Sequence, residues 1–193
     1  GLMNIKRYLQ ARKYLLLFLM VLLLIGIGIG MFLGITNIEA LKYSVISYAS
    51  NMGGSSFNYL YFHFFMVVIS VLLSFCLIGV PLLCTIIFYE GMSIGFLLGI
   101  FSLTYGLKGL LFSVIFLLIT KFIYIFLLIF LFSKCLQIAR RMIGRFLYKS
   151  NNNDLMLHLI KGVLVIVLSI IFYDTLLMFT GSKIIQSFSF LLT

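Results

Sequence analysis

Charge is what this chain has least of. Only 9% of its 193 residues are charged, against about 25% in a soluble domain. Acids are scarcest: Asp and Glu together number 4, and Glu90 alone stands between Glu39 and Asp154. No segment has the mixed composition of a soluble domain, which excludes one. No stretch of about ten residues alternates polar with apolar, which excludes a transmembrane β-barrel. Cysteine is few and odd: Cys76, Cys84 and Cys135 lie in or beside apolar runs, with no CxxC spacing and no partnering histidine. They read as packed thiols, not as a disulfide framework. Catalytic signatures are missing as well: there is no HExxH, GxSxG or Walker sequence. No enzyme activity, metal or cofactor is expected.

What is present is apolar length. Hydrophobic residues make up 64% of the chain, in runs too long for a globular core helix. The fold class expected is an all-α integral membrane protein, one polytopic domain over 1–193. Its spans are expected at about 14–35, 59–78, 80–103, 108–132 and 159–181. Gly1-Leu2 ahead of Met3 reads as an appended remnant. The first run is too long for a signal-peptide core, and no small-x-small site follows it, so it reads as uncleaved. Residues 36–58 carry Ile38, Leu41, Val45 and Met52 near helical spacing, then Gly53-Gly54-Ser55-Ser56. Either a short amphipathic helix on the outer surface or a solvated loop fits them.

The net charge of +10 follows membrane topology rather than nucleic-acid binding. Five spans put nine basic residues inside: Lys6, Arg7, Arg12, Lys13, Lys134, Arg140, Arg141, Arg145 and Lys149. Three lie outside: Lys42, Lys108 and Lys183. The N-terminus is thus expected in the cytoplasm and the C-terminus outside. Lys134, Arg141, Arg145 and Lys149 share one side of an amphipathic segment, opposite Cys135, Ala139, Met142, Ile143 and Phe146. That suits an interfacial helix at the cytoplasmic surface, its basic side on anionic headgroups; topological charge alone accounts for it equally.

Two glycine stripes recur at four-residue spacing, Gly26, Gly30 and Gly34 on the first run and Gly91, Gly95 and Gly99 on the third. Both fall toward the outer half of helices running outward, so they can meet in parallel and let two backbones approach. Glu90 lies more than about 100° around the helix from the second stripe, which makes the third helix the central one. Its expected partner is Lys121, since both residues sit thirteen positions from a shared outer turn at 104–108. The alternative is a protonated Glu90 with Lys121 snorkelling to an interface. Asp174 either finds a polar partner or reaches outer water. His63 and His158 read as interfacial.

The block "LIGVPLLCTIIFYEGMSIGFLLGIFSLTYGLKGLLFSVIFLL", followed by "FLFSKCLQIARRMI", resembles the stage II sporulation protein M family. The likeness covers most of residues 62–180 and rests on order and spacing. Gly79 and Pro81 match an apolar "GxPL" turn; Gly91, Gly95 and Phe96 match a "GxxxGF" helix; Asp174 falls where the family tends to carry an acid. Glu90 stands where relatives can have a basic residue, and Ile119-Thr120-Lys121 lacks the family's proline-containing polar kink. The resemblance implies a five-span scaffold in a bacterial cell membrane. It would hold cell-wall hydrolases, stage II sporulation proteins D and P, during forespore engulfment. Expected partners are those hydrolases and membrane lipid, with no nucleic acid; homo-oligomerisation stays open. The rival reading is a small transport or permease subunit, with Glu90, Lys121 and Asp174 along an intramembrane polar pathway.

Overall fold

The computed structural model describes residues 13–50, 59–76, 79–148 and 153–192. Expectations resting on Lys6, Arg7, Arg12, residues 51–58 and Lys149 lie outside these residues. Every regular element among the described residues is helical: α1 (Lys13–Thr36), α2 (Ile38–Ser50), α3 (Tyr59–Leu73), α4 (Gly79–Leu117), a π turn (Leu118–Phe122), α5 (Ile123–Tyr148), α6 (Asn153–Ser187) and a closing 3-10 turn (Ser189–Leu192). Three helical stretches are long and apolar enough to cross a bilayer: Lys13–Thr36, Gly79–Arg145 and Asp154–Ser187. Large apolar side chains such as Phe32, Phe122, Phe172 and Phe179 point outward on them, as suits a lipid environment better than water.

The middle stretch folds back on itself. Glu90 and Lys121 are 31 residues apart yet in contact, whereas an unbroken helix would separate them by roughly 45 Å. The reversal falls at Gly106, whose φ of 62° and ψ of −139° leave the helical region. Only glycine adopts that conformation without strain. Below the turn, the tilted rings of Phe101 and Phe112 pack across the two arms with centroids 5.5 Å apart. Ile100, Phe101, Phe112, Phe116 and Ile185 form a core at this end, covered by Ile38 and Leu41 of α2 and by Leu191 and Leu192 of the 3-10 turn. The segment read as either amphipathic helix or loop is thus helical from Ile38 to Ser50.

At the opposite end α3 stops sooner than the apolar run 59–78 suggested. It has 15 residues, about 22 Å, short of a hydrocarbon core of about 30 Å. Its last turn tightens: the Ser74 hydroxyl bonds Val71 O at 2.6 Å, and the Cys76 and Gly79 amides bond Leu73 O and Cys76 O. A Cβ on Gly79 would collide with the Leu73 carbonyl, so the turn closes against a bare backbone. Pro81 sits in the first turn of α4, where its missing N–H costs nothing; it starts a helix and kinks none.

α1 buries one stripe, Leu19, Leu23, Gly26, Gly30 and Gly34, against the first arm of α4. A Cβ on Gly26 would lie 2.5 Å from Phe88 O, and one on Gly34 2.8 Å from Phe96 O. From the other side, a Cβ on Gly99 would lie 2.9 Å from Met31 O, while Gly91 and Gly95 would strike Leu23 O and Ile27 O. Residue numbers rise together along the contact, so the two helices run parallel. The backbones touch, and dispersion and close packing supply the attraction that lipid cannot.

The second arm of α4 passes through the π turn into α5 and continues to Tyr148. The basic segment from Lys134 is therefore no separate surface helix but the far end of this one. Its apolar side explains why: Cys135, Ile138 and Ala139 are buried, and α6 returns alongside, with Lys134 lying over Gly162. A neighbour of that length supports α5 past the end of the apolar run.

Gly30→Leu and Gly95→Leu should each lower folded yield in detergent and cost about 1–3 kcal/mol or more, the range for overpacking. Gly28→Leu is the control, since no atom lies within 4 Å of its Cβ position. Equal thermal stability for all three variants would show that the stripes are not a packing surface.

Candidate functional site

Four helices bring ionisable side chains to one level in the middle of the bundle. Glu90 comes from the first arm of α4 and Lys121 from the π turn. His63 comes from the second turn of α3, and Asp174 from the middle of α6. Lys121 Nζ donates to Glu90 Oε2 at 2.7 Å, with 14% of the lysine side chain and 1% of the glutamate's exposed. The same ammonium lies 3.1 Å from His63 Nε2. The other ring nitrogen, Nδ1, faces Asp174 Oδ1 at 3.6 Å, an ion-pair distance too long for a good hydrogen bond.

Donor and acceptor logic orders this chain. A lysine ammonium has only donors, so His63 Nε2 must accept from it. In the neutral ring the proton then belongs to Nδ1, turned toward Asp174, and the imidazole is fixed in orientation by both neighbours. Tyr124 of α5 stacks flat on the ring, centroids 3.8 Å apart and planes 6° from parallel. Lys121 Nζ stands 5.7 Å from the tyrosine centroid, within cation–π range. One carboxylate, Glu90, thus meets the ammonium directly, and the other, Asp174, is linked to it through the imidazole. Glu90 Oε1, Asp174 Oδ1 and the Tyr124 hydroxyl are buried without a hydrogen-bond partner among the described residues. The network therefore has unmet capacity for both donors and acceptors.

The π turn is part of the site. An i→i+5 turn inserts one residue and displaces carbonyls from their usual partners. Here the Tyr173 hydroxyl, next to Asp174, donates to the Ile119 carbonyl, and the Thr120 hydroxyl donates to Phe116 O at 2.7 Å. The extra residue turns Lys121 relative to the arm that precedes it, toward Glu90 and His63. Its stem faces a groove of about 350 Å³ whose other walls, including Leu98, Val114, Phe122 and Ile125, are apolar.

Glu90, Lys121 and Asp174 are thus in one network, and the Glu90 partner is Lys121. His63 was expected at an interface; it is 1% exposed, at the centre. The error came from measuring its depth from the start of the apolar run. Counted from the helix ends that face each other, His63 lies as far before Ser74 as Glu90 lies after Gly79, and the two residues come level. The glycine stripes lie on the opposite side of α4 from this network, against α1. Arg141 and Arg145 are half-buried toward the end of α5, and His158 is exposed on α6. Comparison with protein-family models, with curated proteins and with solved structures returns no match.

Removing one partner of a buried pair leaves the other uncompensated, at a cost on the order of 3 kcal/mol. Glu90→Gln and Lys121→Met should each lower thermal stability, and the double variant should recover much of the loss. A cycle with additive losses would mean the pair is not coupled. Tyr173→Phe leaves the Ile119 carbonyl without its donor and should cost about 1 kcal/mol.

Proposed function

We propose that the chain is a non-enzymatic membrane scaffold, of the kind the stage II sporulation protein M resemblance implies. The observation that carries this reading is the state of its ions: Glu90 meets Lys121 and Asp174 faces His63 among packed helices. Ions lining a transport path would face an aqueous cavity instead, and the groove beside Lys121 is apolar in its remaining walls. In this reading α1, the two arms around Gly106 and α6 cross the membrane, and α3, too short to cross by itself, takes the place of the remaining span and ends at the inner side. The ends of α1, α5 and α6 with most of the basic residues face the cytoplasm in this topology. α2, the Gly106 turn and the C-terminal 3-10 turn face outward, where wall hydrolases are within reach.

One observation favours the transport reading. His63 joins the ion pair to Asp174, and a series of Glu, Lys, His and Asp at one depth has the composition of a proton relay. The two readings separate experimentally. A scaffold should co-purify from its native membrane with peptidoglycan hydrolases and show no proton flux in liposomes. Flux that Asp174→Asn abolishes, with no hydrolase recovered, would replace the scaffold with a carrier.

Topology has its own test. In a background without Cys76, Cys84 and Cys135, single cysteines at Ser55 and Ser187 should both react with an impermeant reagent on intact cells. Reaction at Asn152 instead would reverse or break the five-span arrangement.

A further inference from the structure

Given the membrane reading above, a second site lies at the cytoplasmic end. There α1, α4 and α5 diverge around a groove of about 600 Å³, within the range of small-ligand pockets. Leu15, Phe18, Val80 and Leu136 wall it, and Tyr14 and Arg140 line its mouth. Each of these two stands one helical turn further out than Phe18 or Leu136 on its own helix. Arg140 is exposed and has no ion pair among the described residues. The next residue, Arg141, buries its Nη1 without a hydrogen-bond partner among the described residues. At this end of the bundle Lys13, Lys134, Arg140, Arg141, Arg145 and Lys161 face a single described acid, Asp154.

An apolar cleft opening beneath an unpaired guanidinium has the two-part chemistry of one ligand class. We propose that this groove binds an anionic diacyl phospholipid from the cytoplasmic leaflet. The lipid phosphate pairs with Arg140, whose planar fork suits phosphate oxygens, and an acyl chain lies along Phe18 and Leu136. The surplus of cations selects an anionic headgroup over a zwitterionic one. A bound lipid would join α1 to α5, two helices whose ends otherwise diverge here.

The test uses the full chain extracted in mild detergent, with native mass spectrometry and thermal unfolding after addition of phosphatidylglycerol or phosphatidylcholine. The wild type should retain phosphatidylglycerol preferentially and unfold at a higher temperature with it. Arg140→Gln should lower that retention roughly fivefold, the weight of one cation near an anionic surface. Lys108→Gln, at the other end, should leave it unchanged. Equal retention of the two lipids by the wild type, or an undiminished preference in Arg140→Gln, would overturn the site. So would equal stabilisation by inorganic phosphate, which would assign the groove to a soluble anion. If the chain is not recovered in the membrane fraction at all, the membrane reading fails and this proposal with it.

Discussion

An ammonium and a carboxylate inside hydrocarbon are tolerable only together. Each alone costs about 3 kcal/mol at a helix centre by insertion measurements, comparable to a large share of a protein's net stability. The Lys121–Glu90 contact at 2.7 Å is therefore a constraint on the whole hairpin. Sliding one arm past the other by a single turn, 5.4 Å, would part the pair and leave both charges exposed to apolar surroundings. The register of the two arms is fixed by that penalty, and the glycine at the reversal need only permit it.

The same constraint accounts for features that look unrelated. His63 gives the lysine a second acceptor and places Asp174 next to it, so α3 and α6 are tied to the level of the ion pair. The π turn sets Lys121 toward both neighbours, and the carbonyl it displaces is met by Tyr173, one residue from the acid that His63 faces. Every helix of this group contributes at least one polar residue at this height. α1 contributes none. It is held by the opposite means, an absence of side chains along Gly26, Gly30 and Gly34 that lets its backbone rest on α4. The first arm of α4 therefore carries charge on one face and bare backbone on another.

What could be read in advance depended on counting from a fixed point. Glu90 and Lys121 are equally distant from the two ends of the outer turn, Leu103 and Lys108, and the hairpin makes that equality a contact. The glycine spacing likewise states a face and a direction. His63 escaped because its depth is misjudged when counted from the start of its apolar run: α3 occupies 15 residues and begins part-way along the bundle, so a residue near its N-terminus is central. Its level was recoverable by counting back from Ser74, as Glu90 counts forward from Gly79. The π turn was not, because Leu118 to Phe122 contains no residue that forces a wider turn; the cause lies in Tyr173 and Glu90, far away in sequence. The continuity of α5 beyond the apolar run was equally hidden. A basic amphipathic segment fits a membrane surface by itself, and only the length of α6 shows that it has a protein neighbour.

The two modes of attachment divide the molecule by stiffness. Polar contacts in low dielectric are directional and lose much when displaced, so α3, α4, α5 and α6 are fixed to one another at mid-depth. Backbone contact along the glycine stripe holds α1 equally closely, yet only toward α4, and most of α1 remains apolar and outward-facing. Above the network, α2 and the 3-10 turn rest on the Phe101–Phe112 core through a few apolar side chains. Below it, α1 and α5 separate around the groove at Arg140. A rigid middle with lightly attached ends is what the proposed scaffold requires, with the proposed lipid at one end and the proposed protein partners at the other. A carrier would need the reverse arrangement, a middle able to switch between two packings. Here switching would require breaking the Glu90–Lys121 pair in the place where separation is most costly.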